Sequence, residues 1–337
     1  MRYNMKNNEL ITKLQEDNID SMFVYKPENI KYISGFYPSS YAYLIITDEP
    51  VLYVNSIDKE DANQLSNIEV QDVKKLSQVK EQLTGKVAVE SSLDFNMATY
   101  ISDDLNNLNI SNVIEDLRKT KTKEEITKIK NSISIAENAI GEIDFTSTEK
   151  YAAATLEFDM TINGSIKPAF DTIVASGKRS SSPHSLTSMN RVETPIVVDW
   201  GAKFDHYCSD ITRTFIDTER QEEIWNIVLE AQTAAIKTIA PGVQISDVDK
   251  AARDVITEYG YGEYFIHSTG HGFGLDIHED PNVSSRSEGV LEENMVITAE
   301  PGIYIPGEFG VRIEDDILVK KNPQQLTTLD KNLDFLL

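Results

Sequence analysis

Cysteine occurs once in the 337 residues, at Cys208, so no intrachain disulfide framework can form and a reducing compartment suits the chain. Uninterrupted apolar runs of membrane-spanning length are missing. The opening M-R-Y-N-M-K-N-N-E-L also lacks the apolar centre of a secretory signal. A cytoplasmic protein without membrane association is therefore expected. Bases are scarce: 32 Lys and Arg stand against 55 Asp and Glu, for a net charge of −23. A field of that sign repels phosphate backbones and argues against nucleic acid as a partner. Histidine is wanting from the first half altogether, since His184, His206, His267, His271 and His278 all lie in the second. Any chemistry is expected there.

What is present reads as a globular α/β protein. Apolar residues make up 40% and charged residues 26%, and the length suits two domains. From Asn7 to about Asp116, short helices and strands alternate: Leu10, Ile11 and Leu14 mark a helix, and S-M-F-V-Y, Y-A-Y-L-I-I-T, V-L-Y-V-N and K-V-A-V-E mark strands. That half is expected to be a structural or oligomerising α/β domain, residues 1–118. The charged stretch E-D-L-R-K-T-K-T-K-E-E marks the boundary, and residues 119–337 form the second domain.

In the second domain, Thr122 with Glu125 makes a capping-box signature ahead of Ile126, Ile129, Ile133, Ala136 and Ile140 at helical spacing. A further helix is expected near 147–163 and a buried strand closes at Gly177. A long helix runs from Glu219 to Ala240, stopped by Pro241-Gly242, and Ser246 with Asp249 is expected to start another. Two helix pairs, each followed by a hairpin, suit an α+β core.

Both hairpins carry acids. In V-V-D-W-G-A-K-F-D-H-Y-C-S-D-I-T-R-T-F, a turn centred on Phe204 and Asp205 sets Asp199 opposite Asp210. In A-E-P-G-I-Y-I-P-G-E-F-G-V-R-I-E, a turn about Gly307 sets Glu300 opposite Glu314. Like charges directly across a strand pair lie about 4.5–5.5 Å apart at Cβ and destabilise a sheet unless a cation sits between them. His271, among the glycines of G-H-G-F-G, offers a nitrogen ligand. One imidazole with several carboxylates suits Mn²⁺, Co²⁺, Fe²⁺ or Zn²⁺, and four carboxylates are enough for a two-metal site.

The blocks V-V-D-W-G-A-K-F-D-H-Y-C-S-D-I-T-R-T-F, H-S-T-G-H-G-F-G-L-D-I-H-E, T-A-E-P-G-I-Y and V-R-I-E-D resemble those of the pita-bread metallopeptidases. The early stretch P-E-N-I-K-Y-I-S-G-F is similar to the creatinase/prolidase N-terminal domain. The resemblance implies an α/β N-terminal domain followed by an α+β pita-bread catalytic domain. It also implies five metal ligands at Asp199, Asp210, His271, Glu300 and Glu314. Asp199 would hold one of two divalent ions, His271 and Glu300 the other, with Asp210 and Glu314 bridging; manganese is expected ahead of cobalt or zinc. Glu300 would shuttle a proton, while His184 and His278 would contact substrate and steady the tetrahedral intermediate.

Arg312 matches an arginine of the proline-specific branch, the prolidases and aminopeptidase P; its alternative is neutralising the acid cluster. The implied reaction is hydrolysis of the bond between an N-terminal residue and proline, in Xaa-Pro dipeptides or short peptides, by a homodimer. Asn282 stands about where dipeptide-specific relatives carry a carboxylate-gripping arginine, which leans the expectation toward longer peptides. The rival readings are a binding or regulatory protein on the same scaffold, a metal-free enzyme such as creatinase, and another pita-bread aminopeptidase.

Overall fold

The computed structural model describes residues 3–333, with side chains from Asn7 onward, and its contacts divide the chain into two units between Arg118 and Lys119. The first unit is built on one mixed six-stranded sheet. Its strands are β1 (Ser21–Val24), β2 (Ala42–Ile46), β3 (Val51–Val54), β4 (Glu69–Asp72), β5 (Val87–Val89) and β6 (Leu108–Ile110), in the order β4-β3-β2-β1-β5-β6. The central pairs β1–β2 and β2–β3 are antiparallel, whereas β3–β4, β1–β5 and β5–β6 are parallel and need the crossover connections that helices supply. Helix α3 (Lys59–Leu65) makes the β3–β4 crossover and α5 (Phe95–Ile101) the β5–β6 one, and the unit's other helices are α1 (Tyr3–Glu16), α2 (Pro27–Ser34), α4 (Leu76–Lys80) and α6 (Val113–Lys119). Strands β1 and β2 are buried throughout, as expected of strands covered on both faces.

The second unit opens on α7 (Lys123–Ala139). Thr122 accepts from the Glu125 amide, and the Glu125 carboxylate accepts from the Thr122 amide at 2.8 Å, so the capping box read from the sequence closes the helix N-terminus. Its Ile129, Ile133 and Ala136 and the following Ile140 are buried, and truncating any of the isoleucines to alanine would cost about 2–5 kcal/mol. Helix α8 (Glu149–Ile162) follows, capped by Thr148.

Strand β7 (Ile173–Ser176) then pairs with β8 (Ile196–Trp200), which pairs in turn with β11 (Ile211–Phe215). The short strands β9 (Lys203–Phe204) and β10 (Tyr207–Cys208) close the β8–β11 hairpin. Helices α9 (Glu219–Thr238) and α10 (Ile245–Glu258) share one apolar cluster with the strands that follow, including Ile224, Val228, Val248, Ile297, Val311 and Ile317.

The remaining strands are β12 (Gly270–Gly272), β13 (Glu279–Val283), β14 (Val296–Ala299), β15 (Gly302–Ile305), β16 (Phe309–Arg312), β17 (Asp315–Leu318) and β18 (Gln324–Gln325). Strands β15 and β16 form a hairpin, and β13-β12-β14-β17-β18 lie side by side.

Two expectations need correction. The first hairpin turns on Asp205 and His206, both in the left-handed region at φ 44° and 70°. Tyr207 therefore pairs with Phe204, and Asp199 faces Thr212 rather than Asp210. Asp and His tolerate that conformation without the glycine a turn signal relies on. Ser246 does not cap α10, whose N-cap is Gln244. Asp249 instead accepts from the Thr269 amide at 3.1 Å and hydroxyl at 2.9 Å, and from Arg253.

Candidate metal centre

The site assembles from residues on or beside six strands. Asp199 lies on β8, Asp210 just before β11, and His271 at the centre of β12. Glu300 follows β14, and Glu314 sits between β16 and β17. Thr212 forms an isolated antiparallel bridge with Glu314, which brings the first hairpin against the second. The register of the second hairpin is the one read from its turn: Gly302 faces Arg312 about Gly307, so Glu300 and Glu314 continue the two arms beyond the last paired residues.

Glycines allow the close packing around His271. A Cβ at Gly270 would come within 2.2 Å of the Thr298 carbonyl oxygen, and one at Gly272 within 2.3 Å of that of Asp280.

Ligand atoms of Asp210, His271 and Glu314 all lie within 4.8 Å of one another. His271 Nε2 is 3.4 Å from Asp210 Oδ2 and 3.5 Å from Glu300 Oε1. The other ring nitrogen, Nδ1, is 3.0 Å from the Gly272 carbonyl oxygen, which takes its proton and leaves Nε2 with a lone pair toward the acids. Asp199 stands at the other side, where Oδ2 accepts from Arg312 Nη2 at 2.7 Å while Oδ1 is buried with no hydrogen-bond partner.

Electrostatics define what this arrangement tolerates. Burial pushes the Asp210 carboxyl well above its ordinary value, and repulsion from Asp199, Asp316 and Glu300 adds to it. Glu314 is driven the same way by burial and by Asp210, Glu300 and Asp199. Asp199 is raised by burial too, against the opposing pull of Arg312. Buried like charges of this kind need positive charge to ionise together. The donor set of carboxylates plus one imidazole, with a buried, orphaned Asp199 oxygen, fits divalent cations.

Several partners carry no sequence signal comparable to the acids. Thr212 Oγ1 donates to Glu314 Oε2 at 2.7 Å and accepts from Arg312 Nε at 3.1 Å. Thr298 Oγ1 donates to Glu300 Oε1 at 3.2 Å and accepts from the His271 amide at 3.0 Å. Tyr304 Oη accepts from Arg312 Nη1 at 2.8 Å and lies 2.9 Å from His267 Nε2. Such partners hold ligands in place. Only His267 could have been suspected beforehand, as one of five histidines in a chemically loaded half.

His184 and His278 are exposed. The His278 ring lies 4.4 Å from that of His271, edge to face. Partial burial lowers its pKa, and the neighbouring His271 lowers it further. His206, in the left-handed turn, is not among the group. Asn282 is exposed and pairs with His271 through the backbone.

Comparison with known proteins identifies the class. Residues 127–321 match metallopeptidase family M24, and residues 7–120 match the creatinase/prolidase N-terminal domain. The chain belongs to metallopeptidase family M24 and has its pita-bread catalytic fold. It is 44% identical to the Xaa-Pro dipeptidase of Pyrococcus furiosus, over 96% of this chain and 98% of that protein. The crystal structure of the prolidase from Pyrococcus horikoshii superposes with a TM-score of 0.92 at 42% identity, covering 97% of this chain and 99% of the other. The X-Pro aminopeptidase of Thermotoga maritima superposes with a TM-score of 0.86 at 36% identity, covering 97% and 98%. Among the described residues no helix is long and apolar enough to cross a membrane.

Proposed function

We propose that this metallopeptidase hydrolyses the bond between an N-terminal residue and proline, with Xaa-Pro dipeptides as its first substrates and short Xaa-Pro peptides as secondary ones. The observation that carries this reading is the convergence of Asp210, His271 and Glu314, with Asp199 and Glu300 beside them, in a chain whose relatives are named for that activity. Those names outweigh the lean toward longer peptides drawn from Asn282.

Asp199, Asp210, His271, Glu300 and Glu314 are assigned as the ligands of two divalent ions, manganese ahead of cobalt or zinc. Bound there, such ions supply Lewis-acid activation of water and of the scissile carbonyl. Glu300 takes the proton of the attacking water and delivers it to the proline nitrogen. That nitrogen, like any amide nitrogen, must receive a proton to leave as an amine. His184 and His278 steady the developing oxyanion. Arg312 is assigned to the site as a positioning residue, because it is 3% exposed and spends its donors on Asp199, Thr212 and Tyr304.

Residues 1–118 are assigned as the N-terminal domain and 119–337 as the catalytic domain. A homodimer in the cytoplasm completes the reading. The test is metal-stripped protein reconstituted in turn with Mn²⁺, Co²⁺ and Zn²⁺ and assayed on a Xaa-Pro dipeptide and a longer Xaa-Pro peptide. Faster cleavage of the dipeptide supports the proposal, and cleavage of the longer peptide alone contradicts it.

A further inference from the structure

Outside the acid cluster, a lysine and a glutamate that are far apart in the chain form a nearly water-free ion pair. Lys121 Nζ lies 3.1 Å from Glu279 Oε2, with side chains 2% and 8% exposed. Taking both charges from water costs several kcal/mol each unless geometry and further hydrogen bonds offset it. Both partners have such bonds. Lys121 Nζ also donates to the Lys119 carbonyl at 3.3 Å, and its amide donates to the Asn294 carbonyl at 2.9 Å, which anchors the Lys121 backbone.

Glu279 uses its second oxygen, Oε1, to accept from the Asp276 amide at 3.1 Å. The loop continues inward from there: Gly274 donates to the Asp276 carbonyl at 2.9 Å, and the Cys208 amide donates to the Gly274 carbonyl at 2.7 Å. A Cβ at Gly274 would lie 2.9 Å from Glu279 Oε1, so the carboxylate packs directly on the loop backbone. Glu279 faces Gly272, the neighbour of His271, and its own neighbour is His278.

We propose that Lys121 is a positioning residue for His278. By fixing Glu279 it sets the loop of residues 274–279, and so the place from which the His278 imidazole meets the substrate. Glu279 directly follows His278 in the chain, so anchoring its carboxylate anchors the backbone that carries the imidazole, whose ring lies 4.4 Å from that of His271. Lys119, 3.4 Å from Asp280, gives the same segment a second, more exposed tie. The inference rests on the assignment of His278 as a substrate contact.

A double-mutant cycle tests it. Lys121→Met in the metal-loaded enzyme is expected to lower kcat/KM on a Xaa-Pro dipeptide by about 10–100-fold, the range typical of residues that support a functional group. Metal content should be retained, and Lys121→Arg should recover most of the loss. In a His278→Ala background the same Lys121→Met change is expected to alter kcat/KM by less than about twofold, because a residue acting only through His278 has nothing left to position. Independent, multiplying losses would overturn the proposal.

If Lys121→Met does not fold, Glu279→Gln enters the cycle in its place under the same criteria. Amide exchange in the metal-free protein decides the structural half without any assay of activity. Selectively faster exchange at Gly274 and Asp276 supports the brace, and unchanged exchange there overturns it. A wild-type enzyme inactive on Xaa-Pro substrates would remove the substrate reading while leaving that exchange result decisive for the brace.

Discussion

Arg312 Nη2 donates to Asp199 Oδ2 at 2.7 Å, and this contact leaves Oδ1 as the oxygen of Asp199 without a hydrogen-bond partner. Burial works against the guanidinium charge, but Tyr304, Asp199, Glu314 and Glu300 outweigh it and hold its pKa well above the ordinary value. It holds Asp199 directly and Glu314 through Thr212. Arg312→Ala frees both acids and is therefore expected to lose metal affinity and Xaa-Pro turnover together. Breaking one side of such a buried pair costs about 3–5 kcal/mol of stability. Metal analysis beside kinetics is the check: lost turnover with full metal content would instead give Arg312 a direct contact with substrate.

Asp210→Asn removes a charge from the centre of the cluster while keeping its shape. The expected result is loss of bound metal and a fall in kcat larger than the roughly 10–100-fold typical of losing a ligand's supporting partner. Full activity in the variant, with metal content quantified, would count against Asp210 as a ligand.

Thr212 links Arg312 to Glu314 through one hydroxyl. Thr212→Val keeps the β-branched shape of a strand residue but deletes both hydrogen bonds, leaving the buried Glu314 oxygen unsatisfied. Metal affinity measured by competition with a chelator should fall about 10–100-fold with the fold intact. Unchanged affinity would show that Glu314 is held by its backbone alone.

The raised carboxyls of Asp210 and Glu314 make a pH prediction with a definite sign. In the metal-free protein their folded pKa values exceed their unfolded ones, so between the two the folded state binds more protons. The stability this contributes is present at the acid end and is lost as pH rises through the raised values. A divalent cation must displace those protons, so its affinity should rise with pH over the same window. Calorimetry in buffers of different ionisation enthalpy should record net proton release on metal binding, whereas none would mean that the acids are already ionised.

Much of the site was legible because its signals are local. The Glu300 and Glu314 pairing follows from a Pro-Gly turn that fixes its own register, and the Thr122 capping box needs only four residues. The Asp199 pairing came out two residues off because Asp205 and His206 adopt positive φ without a glycine to announce it. The two acids are still neighbours, since a shift of two keeps side chains on the same face of a strand. Tyr304, Thr298 and the Lys121 to Glu279 pair were not legible. Each depends on contacts between distant segments, and no periodicity or spacing marks a residue for a partner 158 positions away.

The central claim is that divalent cations hold these acids together for hydrolysis of Xaa-Pro bonds. Its most direct test is titration of metal-free protein with Mn²⁺ while bound metal and Xaa-Pro dipeptide hydrolysis are followed together. The account predicts no hydrolysis at the start and activity that rises with occupancy to two ions per chain. Full hydrolysis in excess chelator, or no binding of metal at all, would contradict it.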